Sequence, residues 1–137
     1  MHEMLRQACA GVAELLGLGF AVAGLLGIVL KPGASLDGVR PELLAKLAEA
    51  QRQLVAAGLG GLRITSGTDG AGVHRPGSAH FEGRAVDVTP YPREDGFDPS
   101  RRAVVAAALR ATGLRVLDEY SAPSRTSTAG HLHAELV

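Results

Sequence analysis

The spacing of apolar positions changes several times along this chain, and each change marks an element. Residues 8–30 carry a single charge, Glu14, and 15–30 are unbroken Leu, Gly, Ala, Val, Phe and Ile. That run approaches the roughly 20 residues a helix needs to cross a bilayer. Gly19, Ala23 and Gly27 stand at the small-xxx-small spacing that lets helices approach closely in lipid. Residues 1–36 are therefore expected to form a hydrophobic segment and linker, with membrane association through 8–30 as an anchor or a cleaved signal. A helix buried in a soluble domain is the third reading, and the glycines of the run weaken it. Residues 31–40, with Pro32, Gly33 and Gly38, read as linker.

From Pro41 the period becomes helical. Proline suits a first turn, Leu43, Leu44, Leu47, Leu54 and Val55 trace one face, and Gly58, Gly60 and Gly61 end the helix. Residues 62–66 and 84–89 read as strands, separated by a glycine-rich loop over 67–77. Asp98-Pro99 opens a second helix running to about Thr112 through Val104, Val105, Ala108 and Leu109. Residues 114–120 form a third strand. The last seven residues, His131-Leu132-His133-Ala134-Glu135-Leu136-Val137, alternate polar and apolar and form a fourth. Consecutive strands without a crossover favour an α+β domain over 37–137, a small antiparallel sheet with helices on one face.

Composition narrows the function. Fourteen basic and fourteen acidic residues cancel and are scattered, so there is no electrostatic footprint for nucleic acid. Cys9 is the sole cysteine and cannot close an intrachain disulfide. The histidines are unevenly placed. His80 precedes Asp87 across one glycine, His131 and His133 share a face of the terminal strand, and His74 stands shortly before His80. Imidazole nitrogen and carboxylate oxygen are zinc ligands, and two histidines on one strand beside an aspartate on another make a metal cradle. A lone histidine in an alternating strand is ordinarily a surface or hydrogen-bonded residue; the clustering argues otherwise.

The string Ser78-x-His80-x-x-Gly83-x-Ala85-x-Asp87, followed by His131-x-His133, resembles the zinc peptidase superfamily of lysostaphin-type enzymes, D-Ala-D-Ala peptidases and hedgehog domains. The nearest likeness is to the hedgehog/D-Ala-D-Ala-peptidase branch, through Glu-Gly-Arg-Ala-Val-Asp at 82–87, and it covers about 62–137. The resemblance implies one Zn2+ per chain held by His80, Asp87 and His133, on the sheet face away from the helices. It implies Glu119, at the end of the preceding strand, as general base, with His131 beside the site and His74 as further catalytic residues. The link from Glu119 to His131 is longer than usual in this branch, which leaves Asp118 as the base in another register. The loop Ser66-Gly67-Thr68-Asp69-Gly70 lacks the arginine that many D-Ala-D-Ala enzymes carry there. Asp69 alone remains of the acidic cluster of hedgehog calcium sites, so no calcium is expected. Glu82 and Arg84 read as a solvated pair, and Glu135 as support for a ligand.

The implied activity is a zinc metallopeptidase acting on peptidoglycan stem peptides, as a carboxypeptidase or endopeptidase of D-Ala-containing peptides, in the cell envelope of a bacterium or encoded by a phage. The alternatives are a hedgehog-like zinc-bearing binding domain without catalysis, and a structural domain without metal.

Overall fold

A computed structural model describes residues 27–69, 77–90, 99–120 and 130–137. Within them lie five strands, β1 (Val29–Leu30), β2 (Leu62–Ser66), β3 (Ala85–Pro90), β4 (Arg115–Asp118) and β5 (Leu132–Glu135), and two helices, α1 (Pro41–Ala56) and α2 (Pro99–Ala111). The strands form one sheet in the order β1-β2-β3-β5-β4. The fold is α+β, as expected, but the sheet is mixed. β1 pairs with β2 in parallel, while β2–β3, β3–β5 and β4–β5 are antiparallel. A parallel neighbour requires a crossover, and α1 provides it between β1 and β2.

The tail of the apolar N-terminal run is thus a strand of the domain. Ile28, Leu36 and Val39 join the core beside Leu30, so the stretch read as linker is packed. Residues 1–26 lie outside the described residues. Within the described residues no helix is long and apolar enough to cross a membrane.

α1 starts at Pro41, with Glu42 placing a negative charge in its first turn, where the helix dipole favours it. Leu43, Leu47, Ala50 and Leu54 are buried. Val55, expected on that face, is exposed, and so is Val104 of α2. Gln51 is buried instead, its Oε1 accepting the Leu62 backbone N–H at 2.7 Å; a polar side chain enters the core because it satisfies the start of β2. On α2, Val105, Ala106 and Leu109 turn inward. An Arg110 guanidinium N–H donates to the Val116 carbonyl at 3.1 Å, satisfying a group on the terminal strand of the sheet.

Helices and sheet meet across Leu62, Ile64, Val86, Val88, Val116, Leu132 and Ala134, all buried in one cluster. Successive strand residues point to opposite faces. Asp87, His131, His133 and Glu135 alternate with those core positions and stand on the far face. The register places Asp87 opposite His133 and Leu117 opposite His133 from the other side.

Candidate metal centre

The approach to β3 is a series of tight turns. The N–H groups of Phe81, Glu82 and Gly83 donate to the carbonyls of Ser78, Ala79 and His80. Gly83 has φ +72°, and a Cβ there would lie 2.1 Å from the Gly38 carbonyl oxygen. Glycine is required twice over, by the left-handed conformation and by the close approach. The Gly83 carbonyl accepts from Arg40 N–H at 2.9 Å, and the Glu82 carbonyl from Arg40 Nε at 3.2 Å. The turn that delivers His80 is therefore held to residues 38–40.

His80 is 3% exposed and Asp87 6%. His80 Nδ1 lies 2.9 Å from the Gly67 carbonyl. A carbonyl only accepts, so Nδ1 carries the proton and Nε2 of the neutral ring presents its lone pair. That Nε2 is 3.3 Å from Asp87 Oδ1. His133 Nδ1 reaches the same oxygen at 3.1 Å. Its Nε2 faces Glu135 Oε1 at 3.6 Å, and Glu135 in turn lies 3.7 Å from an Arg115 guanidinium nitrogen. The His80 and His133 rings meet edge to face, 5.0 Å between centroids.

Ligand atoms of His80, Asp87 and His133 all lie within 4.8 Å of one another, a grouping that can hold a metal ion. The donor set fits one. Imidazole nitrogens and a carboxylate oxygen converge in a buried place, where a cation between them would take the place of the proton that joins His133 to Asp87.

His131 borders that grouping. Its Nε2 lies 2.5 Å from Glu119 Oε2 and 3.4 Å from Asp87 Oδ1. Glu119 N–H continues the ladder to the His131 carbonyl at 3.0 Å, which fixes the pair side by side. Asp118 is turned to the helix side, 3.2 Å from Arg102 Nε of α2, and its Oδ1 accepts from Tyr120 N–H. Of the two carboxylates, Glu119 is the one beside the histidines. Glu82 pairs with Arg84 at 2.6 Å at the surface. His74 lies outside the described residues.

Burial works to raise the Asp87 carboxyl, but the hydrogen bond from His133, that from His80 when its ring is doubly protonated, and the charge of His131 outweigh it and hold the group far below the usual carboxylate range. Burial likewise works to lower His133, and the hydrogen bond and charge of Asp87 reverse the sign, leaving its pKa raised.

Sequence reasoning missed the support for His80. Asp69 Oδ1 accepts the backbone N–H of Gly67 at 2.7 Å and of Ser35 at 2.8 Å. The available signal was the Ser-Gly-Thr-Asp stretch, since an aspartate commonly bonds nearby backbone in turns. No protein-family model matches the chain.

Proposed function

We propose that this protein is a zinc-dependent peptidase that cleaves peptide links of bacterial peptidoglycan, working in the cell envelope. The observation that carries the reading is the convergence of His80 Nε2 and His133 Nδ1 on Asp87 Oδ1, with an ionisable pair, Glu119 and His131, immediately alongside. The choice of peptidoglycan rests on the likeness of residues 78–87 and 131–133 to the hedgehog/D-Ala-D-Ala-peptidase branch.

His80, Asp87 and His133 would hold the ion, and three protein ligands are the number that catalytic zinc sites use. Bound there, zinc supplies Lewis acidity, bringing the pKa of water toward about 7 and polarising a carbonyl. The chain's own groups manage the protons. Glu119 Oε2 takes a proton from water as the water oxygen bonds to the carbonyl carbon, and returns it to the amine nitrogen as the C–N bond breaks. His131, through Nε2–H, orients the Glu119 carboxylate, and once Glu119 has taken up the proton that N–H is released toward the negative charge growing on the carbonyl oxygen.

The test is elemental analysis of the purified protein followed by digestion of purified sacculi, with fragments identified by mass. The expected result is about one zinc per chain and new peptide termini that vanish in His80→Ala and His133→Ala. Zinc without hydrolysis would indicate a hedgehog-like zinc-bearing binding domain. Absence of zinc would overturn the reading.

A further inference from the structure

The loop after β2 has a task beyond joining strands. Its Gly67 carbonyl is the acceptor for His80 Nδ1, so the position of that carbonyl sets both the tautomer and the aim of the His80 ring. Gly67 is itself placed by Asp69, whose Oδ1 takes the N–H groups of Gly67 and Ser35 together, while Oδ2 lies 3.4 Å from Ser66 Oγ. The Thr68 N–H donates to the Ser35 carbonyl at 2.9 Å, and the Thr68 hydroxyl bonds the Asp37 carbonyl. The approach is so close that a Cβ on Gly67 would lie 2.0 Å from the Ser35 carbonyl oxygen. Asp69 and Thr68 together fasten the loop to residues 35–37, and residues 38–40 hold the turn that carries His80.

We propose that Asp69 is a positioning residue for His80, acting through the Gly67 carbonyl to present Nε2 toward Asp87 and His133. Asp69 touches none of the three ligands in any contact described above; it acts on the backbone that aims one of them. A carboxylate accepting two N–H groups is a strong pair of charge-assisted bonds, and it fixes the Gly67 N–H directly, which the Thr68 contacts do not. The proposal deepens the zinc reading and rests on it for its effect on metal, though not for its effect on the ring.

Two readouts on the full chain separate these. In metal-free protein, long-range 1H–15N spectra report which His80 nitrogen carries the proton. The expected result is an Nδ1-protonated ring in the parent and mixed tautomers in Asp69→Ala. Zinc affinity, by competition with a chromophoric chelator, should fall about 10- to 100-fold in Asp69→Ala, the usual effect of removing a group that orients a ligand. Asp69→Asn keeps an Oδ1 that serves both N–H groups and should recover most of the affinity. Leu109→Ala, a core truncation on α2, controls for general destabilisation and should keep the parent tautomer and zinc affinity. If Asp69→Ala does not fold, Asp69→Ser, whose shorter side chain cannot serve the N–H groups of both Gly67 and Ser35, is compared with the same control. A parent without zinc affinity sinks the metal reading, and the tautomer then decides this proposal alone. An unchanged His80 tautomer in Asp69→Ala, or an equal loss of zinc affinity in Leu109→Ala, overturns it.

Discussion

Glu119 and Asp118 are adjacent carboxylates whose surroundings assign them different work, and paired substitutions test the assignment. Glu119→Gln keeps the size of the side chain and an oxygen that can accept from His131 Nε2, now 2.5 Å from Oε2. It removes the ability to take up a proton. Zinc content and folding should therefore stay close to the parent, while turnover falls by about 10²- to 10⁴-fold, the range for loss of a general base, or about 3 to 5 kcal/mol of barrier. Asp118→Asn acts on the other face. It weakens a pair with Arg102, whose side chain is 18% exposed and that of Asp118 33%, a partly solvated contact contributing about 1 kcal/mol or less. The bond from Tyr120 N–H to Oδ1 survives in the amide. A small loss of stability with nearly unchanged turnover is expected. Both variants should be assayed for zinc, thermal midpoint and single-turnover release of amino groups from purified muropeptides. Undiminished turnover in Glu119→Gln would refute the reasoning, most directly if Asp118→Asn were inactive, because the base would then sit on the face that the β4–β5 register gives to the core.

Three further outcomes follow from the geometry. Gly83→Ala should destabilise the fold by about 1 to 3 kcal/mol or more in urea unfolding, since the new Cβ meets the Gly38 carbonyl and the backbone stays left-handed; an unchanged midpoint would mean that the turn is not clamped. Removing residues 1–26 leaves every described element in place and should yield a folded domain that retains metal. Removing 1–36 takes away β1 with Ile28 and Leu36 from the core; at about 1.5 to 3 kcal/mol for each large apolar side chain, that loss is a large part of a typical stability of about 5 to 15 kcal/mol, and circular dichroism should show the shorter protein unfolded or nearly so. In metal-free protein, Asp87 is held low, so its contribution is present above the ordinary carboxylate pKa of about 4 and is lost as pH falls through its depressed folded value. His133 is raised, so its contribution is complete below about 6.5 and is lost as pH rises through its raised folded value. With chelator present, urea unfolding should therefore find the protein more stable at pH 5.5 than at pH 8.5; the opposite order would contradict the Asp87–His133 pairing.

Much of the centre was legible because strands are simple to read. Alternation in His131-Leu132-His133-Ala134-Glu135 puts both histidines on one face without any knowledge of the neighbours. The same period separates Glu119 from Asp118 and sets Asp87 apart from Val86 and Val88. Long-range pairing was less accessible. Nothing in Val29 and Leu30 distinguishes a strand residue from the end of an apolar helix, because a short apolar run satisfies both periods. Its place beside β2 depends on α1 serving as a crossover, which no local pattern states. Gln51 shows the same limit on the helix. Its polarity argues for the solvent face, and only the unpaired Leu62 N–H across the core makes burial favourable.

Residues 31–40 show why composition alone misleads at such places. Proline and glycines mark a stretch that is neither helix nor strand, and that inference holds throughout it. It does not follow that the stretch is free. Irregular backbone carries as many donors and acceptors per residue as a strand does, and here they are used on the parts that carry His80: Ser35 N–H on Asp69, the Ser35 carbonyl on Thr68 N–H, and Arg40 N–H on the Gly83 carbonyl. Glycines on the facing loops admit these contacts, since a Cβ at Gly67 or Gly83 would overlap the strap's carbonyl oxygens. Gly83, the turn glycine between His80 and Asp87, is therefore also the seat of the strap. The spacing of His80 ahead of Asp87 and the anchorage of His80 to residues 35–40 are two consequences of one packed arrangement. A change in the strap should accordingly reach the centre through His80 before it reaches Asp87 or His133, which the β3–β5 ladder holds independently.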